Sequence, residues 1–93
     1  MISAIVLITA DVHRIPEVAQ EISEIKGIAE VYSVTGDVDL IAVAKVARHE
    51  DFADVIADRL NKVEGVLDSR THIAFRTYSS DDLGAAFALG LDE

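Results

Sequence analysis

Cysteine is absent from this sequence, which excludes a disulfide framework and any metal site built on thiolate ligands. A chain without cysteine suits a reducing compartment, so we expect a cytoplasmic protein. Long apolar runs are absent as well. The N-terminal stretch MISAIVLITADVH has no basic segment ahead of its apolar residues and reaches an aspartate at position 11, whereas a membrane span needs about 20 apolar residues. We therefore expect neither a signal peptide nor a membrane partner.

Basic residues are few. Eight lysines and arginines stand against seventeen aspartates and glutamates, which gives a formal net charge of −9, and the basic residues are scattered along the chain. Because phosphate backbones repel so acidic a chain, direct binding to nucleic acid is disfavoured.

Sequence signals of catalysis and of metal binding are also missing. The three histidines, His13, His49 and His72, lack ligand spacing such as H-x3-H, so solvated or capping roles suit them better. No G-x-S-x-G, P-loop or G-x-G-x-x-G motif occurs. We therefore predict no catalytic residue, no cofactor and no metal, and we expect a protein that is not an enzyme.

What the sequence does contain is an internal repeat. EISEIKGIAEVYSV (21–34) matches RLNKVEGVLDSRTH (59–72) at an offset of 38 residues. The matched pairs are Gly27 with Gly65, Ile22 with Leu60, Ile25 with Val63, Ile28 with Val66, Ile2 with Leu40, Ala4 with Ala42, Ile5 with Val43 and Val18 with Ile56. Such a constant offset indicates two copies of one strand–helix–strand unit.

Each copy has its own strand and helix signals. Stretches rich in β-branched residues, such as ISAIVLIT, predict strands. Apolar residues at three- and four-residue spacing predict two helices, the first beginning near Pro16 and each ending at a glycine. A tight turn is predicted at Gly36 and Asp37, because glycine supplies positive φ and aspartate tolerates it. We predict strands at 2–9, 28–35, 38–46 and 66–77 and helices at 16–26 and 50–63.

The order of these elements, βαββαβ, predicts a ferredoxin-like α+β sandwich. Right-handed crossovers place the first and third strands at the centre of a four-stranded antiparallel sheet, with the fourth beside the first and the second beside the third. Both helices then cover one face. Residues 1–78 form this domain, and the tail 79–93 is predicted to add a short C-terminal helix.

The sheet face without helices is predicted to be apolar too. Ile5 and Leu7 of the first strand and Ile41 and Val43 of the third point to that face. Hydrophobic residues make up 51% of the chain and the mean hydropathy is +0.29, which is high for a domain this small. Because so large a bare patch is rare on a monomer, we predict that a second copy covers it, giving a homodimer of the dimeric α+β barrel type.

Two stretches, VTGDVDL (34–40) and GVLDSRT (65–71), carry a resemblance to a known family. The first holds G-x-x-D ahead of a buried strand, and the second leads from a helix-ending glycine to hydroxyls at Ser69 and Thr71. Over residues 1–78 the chain resembles the effector-binding (RAM) domain of the Lrp/AsnC transcriptional regulators. The position before the motif's aspartate, often aromatic in that family, is Val38 here.

The resemblance implies a non-enzymatic, stand-alone regulatory domain. Full-length members carry an N-terminal helix-turn-helix domain, and the first predicted strand begins at residue 2, so we expect a version without the DNA-binding domain. Family members dimerise through their sheets, often assemble into rings of four dimers, and bind amino acids or related metabolites between dimers, beside the turn that joins strands two and three. A homo-oligomer that binds an amino acid and acts through full-length Lrp/AsnC regulators is therefore implied.

The residues near that turn suit an α-amino acid. The topology brings the turn, the start of strand four and the start of the first helix to one end of the sheet. Carboxylates there could hold an ammonium group, and hydroxyls, turn N–H groups and Arg14 could hold a carboxylate. The candidate ligand-binding residues are Gly36, Asp37, Val38, Asp39, Ser69 and Thr71. Each has a structural reading too: Asp37 as a turn residue, Asp39 as an acceptor for N–H groups of its own hairpin, and the hydroxyls as ordinary strand residues.

Three other readings share the fold. A cofactor-free monooxygenase of the dimeric α+β barrel type would need a polar group between sheet and helices, for which His72 is a candidate. An ACT-type regulatory module would have a strand-to-helix glycine, which is missing from 9–16. A purely structural subunit would bind no amino acid.

Overall fold

The computed structural model describes residues 1–78, and the helix predicted for 79–93 lies outside the described residues. Short 3-10 turns precede the first helix and follow the second. No helix in the described part is long and apolar enough to cross a membrane. The elements are β1 (Ile2–Ala10), the turn Val12–Arg14, α1 (Ile15–Ser23), β2 (Ile28–Ser33), β3 (Leu40–Val46), α2 (Ala53–Arg59), the turn Leu60–Lys62 and β4 (Val66–Ile73).

The four strands form one antiparallel sheet in the order β2-β3-β1-β4, as predicted. The central pair has the symmetry that the repeat implies. Ile2 pairs with Val46, and the residues 38 positions away from each, Leu40 and Ile8, pair with each other. The two copies of the repeat therefore meet at β1 and β3 about an approximate two-fold axis.

One face of the sheet packs against the helices in a continuous hydrophobic core. The alternate residues of β1 and β3 that the sequence assigned to one face are buried there, together with the apolar stripes of the helices. The buried residues are Ala4, Val6, Ile8, Ala10, Val18, Ile22, Leu40, Ala42, Ala44, Val46, Phe52, Val55, Ile56 and Leu60.

Gly27 and Gly65 follow the two helices and fit closely against the other copy of the repeat. Their φ angles are +103° and +105°. A Cβ at Gly27 would lie 2.7 Å from a methyl group of Val55 in α2, and a Cβ at Gly65 would lie 2.5 Å from a methyl group of Val18 in α1. Both the backbone conformation and the available space therefore require glycine at these two positions.

The predicted bounds are wrong at several places. β2 and β3 are joined by a loop over residues 34–39, whereas a tight turn at Gly36-Asp37 was predicted; Gly36 has φ +116°, and Asp37 does not adopt a positive φ. α1 ends at Ser23 and not at 26, because Glu24 and Ile25 donate to carbonyl oxygens three residues back and tighten the chain. β4 ends at Ile73 and not at 77.

The second helix also differs from the prediction in its winding. Ala53–Arg59 forms a π-helix, with hydrogen bonds to the fifth residue back, and not the regular α-helix predicted for 50–63. The wider turn brings Asp54, Val55 and Arg59 to one side, where they face the end of β3.

Candidate functional site

The loop between β2 and β3, residues 34–39, is fixed to β1 through Asp39. The Ala10 N–H donates a hydrogen bond to Asp39 Oδ2 at 2.8 Å, and the Asp39 N–H donates to the Ile8 carbonyl oxygen at 2.9 Å. The Val34 N–H closes the loop by donating to the Asp39 carbonyl oxygen at 3.1 Å. The Asp39 carboxylate thus bonds the neighbouring strand and not, as one sequence reading had it, N–H groups of its own hairpin.

The tip of this loop is open to solvent. Gly36 and Asp37 are exposed and Val38 is half-buried. Within residues 1–78, no atom beyond the neighbouring residues lies within 4 Å of the position that a Cβ of Gly36 would take. The tip therefore combines a fixed base, at Asp39, with free space for a ligand or another subunit.

Ser69 and Thr71 lie in β4, two strands away from the loop. Ser69 and Leu40 both pair with Ile8, on opposite sides of β1, so about 10 Å separates them. The Ser69 hydroxyl donates to Asn61 Oδ1 at 2.5 Å. Thr71 is exposed and lies two residues further along β4, away from the end of the sheet that carries the loop. The six candidate residues therefore form two groups, Gly36–Asp39 and Ser69 with Thr71, and do not converge in one pocket of a single chain.

Arg14, the further candidate, lies at the loop end of the sheet but contacts its own helix. Its Nη2 is 3.5 Å from Glu21 Oε1, while its Nε is buried against Gly65 and, within residues 1–78, has no hydrogen-bond partner. The Asp11 N–H donates to the Gly65 carbonyl oxygen at 2.8 Å and ties the end of β1 to the start of β4. The predicted meeting of these segments at one end is confirmed, but the Arg14 guanidinium is engaged elsewhere.

The sheet surface opposite the helices, called the open face below, has an apolar centre and charged edges. Ile5, Leu7, Ile41 and Val43 form the centre, and Ile5 is 43% exposed. The edge strands contribute Glu30 and Tyr32 from β2 and Asp68, Arg70 and His72 from β4. His72 pairs with Ile5 and so belongs to the open face, not to the layer between sheet and helices where a monooxygenase would need it.

A further hollow lies at the opposite end of the sheet from the loop. It has a volume of about 580 Å³ and is lined by the turn after α1, the end of β3 and the π-helix α2. Sequence reasoning missed it, because its charged residues come from three separate segments of the chain and form no recognisable motif. Among the described residues, no group of three histidine, aspartate or glutamate side chains could hold a metal ion.

Comparison with known proteins gives one consistent result. Residues 3–83 match the family described as the Lrp/AsnC ligand binding domain. An uncharacterized HTH-type transcriptional regulator of Pyrococcus furiosus is 34% identical over 80 residues, which cover 86% of this chain and 53% of that protein. The chain spans about half the length of the curated relatives it matches.

Solved structures agree in fold. A crystal structure of a Thermus thermophilus protein has a TM-score of 0.81 and 39% sequence identity, with 85% of this chain and 99% of that chain covered. A feast or famine regulatory protein from M. tuberculosis, complexed with L-methionine, has a TM-score of 0.72 at 24% identity, with 87% of this chain and 54% of that chain covered. The second likeness, at this identity, concerns the fold alone.

Proposed function

The chain belongs to the Lrp/AsnC ligand-binding domain family, and we propose that it is a regulatory domain that binds an amino acid or a related small metabolite within an oligomer. Its curated relatives are named transcriptional regulators, which favours a role other than catalysis. The layer between sheet and helices is filled by aliphatic side chains and Phe52, which disfavours the monooxygenase alternative. Because regulators of transcription work beside the chromosome, we propose a cytoplasmic location.

The Gly36–Asp39 loop is the observation that carries this proposal. Asp39 holds the base of the loop to β1 through the Ala10 N–H, and only one of its two carboxylate oxygens takes part in that bond. The other oxygen is available to an ammonium group, and the exposed tip leaves space for the rest of a small ligand. A structural neighbour from Neisseria meningitidis is, like the M. tuberculosis protein, a complex with L-methionine.

A homodimer formed through the open face supports the same proposal. Ile5, Leu7, Ile41 and Val43 give the apolar centre that a stable interface needs, and the charged edge strands give a polar rim. Two sheets packed in this way form the dimeric α+β barrel. A full-length Lrp/AsnC regulator that presents the same sheet face could take the place of one copy in the dimer. We propose that this chain acts on such regulators by forming mixed dimers with them.

Contacts between dimers would complete the ligand site. Within one chain the Gly36–Asp39 loop and the hydroxyls of Ser69 and Thr71 are about two strands apart, too far to hold the two ends of one small amino acid. A site that uses both groups therefore needs the loop of one subunit and β4 of another. We propose this arrangement, in a ring of dimers or a similar assembly.

Calorimetry against the twenty amino acids tests the proposal when two substitutions of Asp39 are compared. Asp39→Asn keeps an acceptor for the Ala10 N–H and removes the negative charge, whereas Asp39→Ala removes both. If the carboxylate binds a ligand's ammonium group, Asp39→Asn lowers the affinity about tenfold or more, because hydrogen bonds to charged groups contribute roughly 1.5–3 kcal/mol.

Asp58→Asn is the matched control, since Asp58 is an exposed aspartate of α2 and not part of the loop. Equal affinity of the wild type and Asp39→Asn would show that Asp39 only fixes the loop. Absence of binding by the wild type at millimolar concentrations would contradict the sensor role and favour the purely structural subunit.

A further inference from the structure

We propose that the hollow at the far end of the sheet from the Gly36–Asp39 loop is a second small-molecule site, which takes a zwitterion with an apolar body. The hollow, called the distal cleft below, is lined by Lys26, Val46, Asp51, Val55 and Arg59 among others. Its volume of about 580 Å³ lies in the range of small-molecule pockets, roughly 300–1,000 Å³. This inference is independent of the ligand site proposed above, because the two sites share no residue.

The walls of the distal cleft come from three segments that the fold holds rigidly together. The Lys45 N–H donates to the Gly27 carbonyl oxygen at 2.8 Å and joins the end of β3 to the turn after α1. Val55 of α2 packs against Gly27, where no side chain would fit. The cleft is therefore part of the packed structure and does not depend on an exposed loop for its shape.

The π-helix contributes one wall of the cleft. Asp54, Val55 and Arg59 of α2 and Asp51 just before it all face the cleft. π-Helical turns are rare and occur often at functional sites, because the wider turn redirects side chains that an α-helix would place elsewhere. The winding of α2 and the cleft are separate observations that concern the same place.

The charges at the cleft define the ligand. Arg59 and Asp54 form an ion pair at 3.4 Å and largely neutralise each other. Lys26, from the turn after α1, Lys45, near the end of β3, and Asp51, before α2, make no ion pair with any residue in 1–78. The lysines and the Asp51 carboxylate stand on different walls, above the apolar floor of Val46 and Val55. They match a ligand with a carboxylate, an ammonium group and an aliphatic side chain.

Chemical-shift mapping of the full chain by NMR, with three probes, tests this proposal. The probes are L-leucine, 4-methylpentanoate, which lacks the ammonium group, and 3-methylbutylamine, which lacks the carboxylate. We expect L-leucine to shift the amide signals of Lys26, Gly27, Ala47 and Val55, and each of the other two probes to bind about tenfold more weakly. Shifts confined to residues 34–39, or no shifts at millimolar L-leucine, would overturn the proposal; shifts at the distal cleft alone would support it and leave the loop site without support.

Substitutions then test the charged groups. Lys26→Gln and Asp51→Asn should each weaken L-leucine binding at the distal cleft about tenfold, whereas the exposed control Lys62→Gln should leave it unchanged. Ala47→Phe, at the exposed rim, should block the cleft without disturbing the core. Equal binding by Lys26→Gln, Asp51→Asn and the wild type, or undiminished binding by Ala47→Phe, would contradict the assignment.

Discussion

The phenol of Tyr32 lies on the open face, two residues from Glu30 on the same strand. Hydrogen bonding to the Glu30 carboxylate, together with its negative charge, raises the pKa of Tyr32 above its ordinary value. The folded chain therefore holds this proton more tightly than the unfolded chain does. The resulting contribution to stability is complete below pH about 10 and is lost as the pH rises through the pKa of the folded state.

Absorbance titration of the phenolate measures this effect in a Tyr78→Phe background, which leaves Tyr32 as the single tyrosine of the chain. We expect Glu30→Gln to lower the pKa of Tyr32 towards about 10. An unchanged pKa in Glu30→Gln would show that another group causes the shift. Because the side chain is half-exposed, the accompanying change in stability should be small.

The candidate ligand residues show how far sequence reasoning reaches at this scale. The predicted strand order correctly placed the loop that carries the G-x-x-D motif beside the end of β1, although β3 begins at Leu40 and not at residue 38 as predicted. The bond from the Ala10 N–H to Asp39 could not be predicted, because the two residues are 29 positions apart and only the sheet register brings them together. The separation of Ser69 from the loop depends on the same register.

At the scale of elements, replacing the glycines that follow the helices, Gly27 and Gly65, should cost more stability than replacing Gly36 in the loop. Gly65→Ala combines an unfavourable positive φ with a contact of 2.5 Å to Val18, and should destabilise the fold by about 2–4 kcal/mol. Gly36→Ala has a similar φ but open space around it, so about 1–2 kcal/mol is expected. Urea denaturation measures both, and equal losses would contradict the close packing at Gly65.

The strands and their order could be predicted from the sequence, whereas the register of the edge strands could not. Alternating apolar residues fix which face of β1 and β3 is buried. In the first copy Ile28 of β2 pairs with Ala44 of β3, so the 38-residue offset predicts that Val66 of β4 pairs with Val6 of β1. In the structure Val66 pairs with Ala10, four residues further along β1. The same displacement, about 13 Å along the strand, is seen at the two helix-ending glycines. The Gly27 carbonyl oxygen accepts from the N–H of Lys45, which corresponds to Leu7, whereas the Gly65 carbonyl oxygen accepts from the N–H of Asp11, four residues beyond Leu7.

The π-helical winding of α2 could not be predicted from the sequence either. Apolar spacing of three and four residues is compatible with both α- and π-helical turns over so short a segment. The contact of Val55 with Gly27 joins residues 28 positions apart and is likewise not visible in the sequence. The distal cleft therefore became visible only in three dimensions.

At the scale of the whole molecule, the open face predicts the state of association. Ile5→Lys places a charge at the centre of this face and should convert the proposed dimer into a 10.0 kDa monomer, because an unpaired ammonium group buried in the interface is strongly unfavourable. Val12→Lys, at a side chain that is 68% exposed in the turn before α1, should leave the dimer intact. Sedimentation velocity measures both.

A wild-type protein that sediments as a monomer at micromolar concentration would contradict the proposed interface. It would also remove the basis for a ligand site shared between dimers. The distal cleft would remain testable, because its walls come from a single chain.

The reciprocal fit of Gly27 under Val55 and of Gly65 under Val18 has a consequence for how the chain folds. Each half of the molecule receives its final packing surface from the other half, so neither half has a finished interior alone. A stable intermediate with one half ordered is therefore not expected. Folding and unfolding should each be all-or-none, despite the duplicated plan of the chain.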